Sequence, residues 1–380
     1  MIGGSGSFIG PGCAVLLATA ALSACAGQTG QDSSSPPPFA AARSYVTGRS
    51  PASVAIGDLD GDGKPDLATA NLRSDTISVL GNKGDGGFQA KRDYPTGDGP
   101  FSVAIVDLNG DRKPDLATAN GNASTVAVLL NGGDGSFQAK RNYATGRATA
   151  SVAIGDLNGD RKPDLATTNF GSDTVSVLLN RGDGSFQAKR DYATGRGPSS
   201  VAIGDLDGDG KPDLATASFR SYTVSVLANR GDGSFQAKLD YATGDYPFSV
   251  AIGDVNGDGK PDLATANVDA STVSVRLKSG GGSFRARHDY ATGLGPHSVA
   301  IRDLNGDGRP DLVTANAVGN TVSVLLNKGE GSFQGRLDYR TGDFPRSVAI
   351  GDLNGDGKPD GATANFKADT VSVLLNTTGP

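Results

Sequence analysis

The sequence has no tryptophan, a single methionine, a single glutamate (Glu330) and only two histidines, His288 and His297. Its two cysteines, Cys13 and Cys25, both fall within the first 25 residues. No disulfide or thiolate metal site can therefore form in the rest of the chain. His288 stands where other copies of the repeat described below carry Arg or Leu, which marks a surface substitution. Neither histidine recurs beside a Ser, Cys or carboxylate in a triad-like arrangement, so an enzyme is not expected. Basic charge is not in excess. Thirty-five Lys and Arg face 41 Asp and Glu, for a formal charge of −6. That balance leaves no footprint for nucleic acid or for an anionic membrane surface. The one long apolar run, Cys13 to Leu22, is too short to span a bilayer and has the length of a signal-peptide core.

What the sequence has in abundance is aspartate and glycine: 40 of its 41 acids are Asp, and Gly numbers 56. Twenty-three of the aspartates lie in seven copies of one stretch, first "DLDGDGKPDLATAN" from Asp58 and then every 49 residues without insertion or deletion. Oxygen-bearing side chains recur at positions 1, 3, 5 and 9 of each stretch, and position 7 would offer its backbone carbonyl. The first loop supplies Asp58, Asp60, Asp62, Lys64 and Asp66; the second Asp107, Asn109, Asp111, Lys113 and Asp115; the third Asp156, Asn158, Asp160, Lys162 and Asp164. The fourth supplies Asp205, Asp207, Asp209, Lys211 and Asp213; the fifth Asp254, Asn256, Asp258, Lys260 and Asp262. The sixth has Asp303, Asn305, Asp307, Arg309 and Asp311, and the seventh Asp352, Asn354, Asp356, Lys358 and Asp360. The spacing is like the first half of an EF-hand loop without its bidentate Glu at position 12, where Thr69 stands inside a strand. Hard oxygen ligands on a short loop suit Ca²⁺, at up to seven sites, and the lack of Cys and His disfavours softer metals. Two carboxylates about 4 Å apart repel by roughly 4 kcal/mol at a surface-like effective dielectric, so such a loop is self-repelling without a cation. Position 6 is Gly in five loops but Arg112 and Arg161 in the second and third. If that position needs a positive φ, those two sites are the weakest.

A fixed period in this range means stacked copies of one supersecondary unit. In residues 53 to 97, "SVAIGD", "DLATAN", "TISVLGN" and "FQAKRDYPTG" read as four short strands joined by the Asp loop, a turn and a Gly-rich hairpin. Seven four-stranded antiparallel sheets around an axis make an all-β, seven-bladed propeller. The seventh copy stops after "TVSVLLN" and lacks its fourth strand, but "FAAARSYVTG" from Phe39 supplies it, 49 residues ahead of Phe88. The N-terminal strand is expected to complete the last blade. The organisation is then a signal peptide over residues 1–25, a polar Pro/Ser-rich linker over 26–38, and the propeller over 39–380. "LSAC" resembles a bacterial lipobox with Cys25 as the lipidated residue, although no Lys or Arg precedes the apolar run. An exported envelope lipoprotein or secreted protein is expected, touching a membrane only through that anchor.

The Asp loops, "GSFQA" and "TGxxP" resemble the FG-GAP or VCBS-type repeats of integrin α-subunit propellers and many bacterial extracellular proteins, over residues 39 to 376. The resemblance implies a seven-bladed propeller with Ca²⁺ in the first hairpin of each blade, on one face. It implies no single function, because the fold serves adhesion, sugar binding and scaffolding.

Subtracting the repeated Phe and Tyr series leaves Phe101, Phe170, Phe219, Tyr222, Tyr246, Phe248, Phe344 and Phe366, all in the loops joining strand two to three and strand four to the next blade. Those loops should share the face opposite the Asp loops. The variable charges Arg73, Arg147, Arg196, Arg220, His297, Arg346 and Lys367 accompany them. Phe170, Phe219, Arg220, Tyr222, Tyr246 and Phe248, from blades three to five, form the candidate ligand site; the alternative is that these rings fold back to seal the channel mouth. The expected role is recognition or adhesion by a monomer, with a protein or glycan partner at the cell surface. A carbohydrate-binding lectin, a polysaccharide-active enzyme and a structural envelope protein are the alternatives. Two "RGD" triplets, at Arg181–Asp183 and Arg230–Asp232, fall where other copies carry related turns and read as turn variants.

Overall fold

The computed structural model describes residues 39–279 and 283–378. The apolar run, Cys25 and the linker lie outside the described residues. Within them every regular element is a strand. The alternating pattern of the repeat dictates the first blade. β2 (Pro51–Gly57), β3 (Asp66–Asn71), β4 (Thr76–Leu80) and β5 (Arg92–Pro95) form one antiparallel sheet in chain order. The same order recurs for blades two to six. In the seventh, β1 (Arg43–Val46) pairs with Thr370–Leu374, Arg43 opposite Val373 and Val46 opposite Thr370. The N-terminal strand thus closes the ring.

The fourth strand is shorter than its sequence suggests. Phe88 makes only an isolated bridge to Asn82, and the ladder resumes at Arg92. The reason lies between blades. Phe88 turns into the core, 4% exposed, and meets Tyr45 of the preceding blade edge-to-face at 5.4 Å. All seven Phe–Tyr pairs repeat this contact, from Phe39–Tyr339 through Phe333–Tyr290, a geometry the ring quadrupoles favour. Around them each blade interface holds its own apolar cluster, such as Leu67, Leu80, Val371 and Val373 between blades seven and one.

Polar links tie the same interfaces. The inner strand of each blade donates a backbone N–H to a serine hydroxyl of the preceding one: Val103 to Ser53, and so on round to Val54 on Ser347, at 3.3–3.4 Å. Asn82 donates from Nδ2 to Pro65 O in its own blade and to Leu353 O in the preceding one. Five other blades carry the equivalent Asn clasp. In the fifth, Lys278 replaces it.

Candidate functional site

The Asp loops and the Gly-rich turns make one face. The loops that follow strand two and strand four make the other, where they bond to each other through backbone pairs such as Phe219 N–H to Gly197 O and Arg220 N–H to Arg196 O.

On the first face, each loop is held by its own amides. Asp58 accepts from Gly61 N–H on Oδ1 and from Gly63 N–H on Oδ2, while Asp62 Oδ1 accepts from Lys64 N–H. These bonds turn the side chains of positions 1, 3 and 5 together. Carboxylate oxygens of Asp58, Asp60 and Asp62 lie within 4.8 Å of one another, as do those of Asp205, Asp207 and Asp209. The other five loops place an Asn amide oxygen at position 3 in the same role, for example Asn109 Oδ1 accepting from Asp111 N–H. Position 7 is exposed or half-buried, and in the first and fourth loops its Lys ammonium pairs with the position-5 carboxylate at 2.9 and 2.7 Å. Such exposed pairs contribute little stability.

Position 9 differs. Asp66 opens a strand, is 1% exposed, and accepts Leu59 N–H on Oδ2 and Asn82 N–H on Oδ1. It buttons the loop to the third strand, and all seven copies repeat it, as far as Asp360 with Leu353 and Asn376. Burial pushes the Asp66 carboxyl up to about 6 against the lowering pull of those two amides, and the same holds for Asp115, Asp164, Asp213, Asp262 and Asp311. A buried carboxyl beside two or three more is a place where a bound cation would offset the desolvation and the mutual repulsion. The donor set, all hard oxygens, fits Ca²⁺.

On the opposite face, the six residues singled out by subtraction come together. Arg220 lies over the Phe170 ring at 4.6 Å; Phe219 meets Phe170 at 6.1 Å, Tyr246 at 4.8 Å and Phe248 at 6.1 Å; Tyr222 stands edge-on to Tyr246 at 4.9 Å. They are not equally accessible. Phe170 is buried, Arg220 is exposed, and Tyr222 is 39% exposed.

The sealing alternative is also realised, by a second set of side chains that shares Phe248 with the first. Phe101 and Phe248 belong to inner strands, not to loops. They share one column with His297 and Arg346, the second residue of each inner strand, where a bulge shifts the register. The guanidinium of Arg346 lies 4.9 Å from the ring centroid of Phe101, 5.8 Å from Phe248 and 4.5 Å from Phe366. His297 stacks at 4.8 Å on Phe248 and 5.5 Å from Phe344. Rings from blades two, five, six and seven therefore meet across the axis. Burial, with Arg346 beside it, pushes the His297 imidazole down to about 3, so it is neutral at physiological pH and packs as a ring.

Two backbone positions on this face carry strain. The last residue of each strand-two-to-three loop is left-handed: Asp75, Ser124, Asp173, Tyr222, Ser271, Asn320 and Asp369, with φ between 50° and 58°. Six are short polar residues. Asp75 and Asp173, for instance, accept the N–H of Gly99 and Gly197 in the next loop. Only blade four puts a ring there, and its neighbour Tyr246 is left-handed too, at 55°. An aromatic residue in this region costs on the order of 1–2 kcal/mol.

The FG-GAP-like repeat model matches residues 58–118, 107–167, 156–216, 205–265, 254–314 and 303–361. Among solved structures, the propeller of BBS1N in complex with ARL6DN is similar at 13% identity and TM-score 0.64, covering 90% of this chain and 97% of that one. A streptogramin B lyase is similar at 15% identity and TM-score 0.61, over 89% and 98%. An Agrocybe aegerita lectin that recognises non-reducing terminal N-acetylglucosamine is similar at 18% and 0.54, over 90% and 96%. At these identities the likeness is one of fold. No curated protein matches the chain in sequence.

Proposed function

The chain belongs to the FG-GAP-like repeat family, and from that premise we propose that it is an exported, calcium-loaded recognition module that binds a protein partner through the face opposite its Asp loops. The carrying observation is the blade-four to blade-five cluster. Five rings and an arginine from three blades pack into one patch, and two of the rings, Tyr222 and Tyr246, stand at left-handed backbone positions that the other blades fill mostly with glycine or short residues. Backbone strain accepted in order to present a ring at a partly exposed position supports the reading of a used surface.

The Asp loops have the other role. Ca²⁺ held by positions 1, 3, 5 and 9, with the backbone carbonyl at 7, would neutralise the loops and clamp the first hairpin of each blade. Nothing in that role needs a reacting group. His297, the one histidine in the core of the opposite face, is neutral and enclosed, which favours binding over catalysis. The proposed address is the cell envelope or the medium, with Cys25 as the anchor. A protein is favoured over a glycan because the rim carries both signs of charge and an exposed apolar pair, Leu294 and Val318, whereas a repetitive polysaccharide offers uniform chemistry.

The test is a binding screen of the full chain against purified surface proteins and glycans, in calcium, beside the triple variant Phe219→Ala, Arg220→Glu, Tyr222→Ala. The reading expects a protein ligand, lost in the triple variant at unchanged melting temperature. Binding that survives the triple change would place recognition elsewhere on the molecule.

A further inference from the structure

On this rim every blade but the third presents two exposed positions side by side, one from each loop. In blade four both are arginine: Arg220 N–H donates to Arg196 O at 3.0 Å, so two guanidinium groups leave one backbone pair. In blade five the equivalent residues are Asp245 and Asp269, both exposed and both close enough to Tyr222 to act on its hydroxyl. Among the described residues none of these four forms an ion pair with another side chain. Like charges placed adjacently repel, and within the free chain only Arg220 is engaged otherwise, over the Phe170 ring. Between the two sectors stands the strained pair of exposed Tyr222 and half-buried Tyr246.

A positive sector beside a negative one of equal charge, with a ring on the dividing line, is self-complementary. A two-fold axis running between the blades exchanges the sectors and lays each over its opposite. A polyanion would meet the aspartates, and a polycation the arginines. We infer that the rim of blades four and five is a homotypic docking surface, on which a second copy of this chain seats with Arg196 and Arg220 of each copy over Asp245 and Asp269 of the other. This inference rests on the reading that the face opposite the Asp loops is the recognition face, and it names the partner. Arg49 and Arg73 on blade one, across the ring, would repel their own copies, so the two rings part on that side and contact is confined to the arc around blades four and five. A small interface of this kind gives a weak, salt-sensitive dimer.

Sedimentation velocity of the full chain in calcium, over a wide range of concentration and at low and high salt, tests it. The expected result is a concentration-dependent dimer that salt weakens. Arg196→Asp with Arg220→Asp, or Asp245→Arg with Asp269→Arg, should each weaken it by about tenfold or more. Mixing the two charge-reversed proteins should restore a dimer, because every pair across the mixed interface is again of opposite sign. A wild-type protein that stays monomeric, or a dimer that both reversals leave intact, overturns the inference. Arg196→Gln with Arg220→Gln gives the same reading should a reversal fail to fold. The binding screen judges the face itself separately: a monomer whose protein binding is lost in the triple variant keeps the recognition reading and loses only the second copy.

Discussion

Position 6 of the Asp loop turns left-handed in all seven copies. Five are Gly, with φ between 76° and 83°; the other two are Arg112 at 67° and Arg161 at 63°. Sequence alone raised the question and the backbone answers it: those loops adopt the common turn with a side chain in a region that disfavours one. Each arginine should cost about 1 kcal/mol. Arg112→Gly and Arg161→Gly are therefore expected to raise stability by roughly that amount in denaturant unfolding. In calorimetry they should also bring the calcium affinity of their loops toward that of the fifth, sixth and seventh, which share their ligand set. A substitution that leaves both unchanged would mean the strain is relieved elsewhere. Tyr222 and Tyr246 carry the same kind of cost on the opposite face, but there the residue type points to use.

Among the elements, the joint between blades four and five is the odd one. Six blades hold their neighbour through an Asn amide reaching a carbonyl of the preceding blade, as Asn229 does with Leu157 O. At the corresponding place Lys278 is 4% exposed, its ammonium lacks a hydrogen-bond partner among the described residues, and it lies over the Phe284 ring at 4.8 Å. Burial lowers its pKa, although the fourth Asp loop, with Asp205, Asp207 and Asp213, pulls the other way. Lys278→Asn should restore the clasp toward Leu206 O and stabilise the ring by about 1–2 kcal/mol, the cost of an unsatisfied buried donor. Thermal unfolding checks it, and a drop in melting temperature would show that the ammonium serves the fourth loop's charge. This lysine was visible in the sequence as a substitution in the repeat. Its consequence was not, because the clasp it breaks links residues 72 apart across two blades.

Over the whole molecule, the seven-fold design was legible because the repeat never slips. The period gave the blade number, the orphan strand from Phe39 gave the closure, and subtraction of the template gave six residues that the fold packs into one cluster. What the sequence left open is what depends on bulges and turns. The column Phe101, Phe248, His297 and Arg346 is regular in spacing, but only the bulge at the start of each inner strand aims it at the axis. The fourth strand reads as ten residues and pairs over four, because its Phe is drawn between blades. Position 9 reads as one more loop ligand and is also the button that fixes the loop to the third strand.

The central claim is that the Asp loops are cation clasps that hold the blades. It is tested most directly by thermal unfolding of the protein in excess EGTA and again in millimolar calcium, with a calorimetric count of ions bound. At ten times the site Kd, each ion contributes about 1.4 kcal/mol, so several together rival the entire stability of a typical domain. The account predicts a large rise in melting temperature with five to seven ions bound, the first and fourth loops, with their additional aspartate, filling first. No binding and an unchanged melting temperature would contradict it and leave the loops as acidic turns held by their own amides.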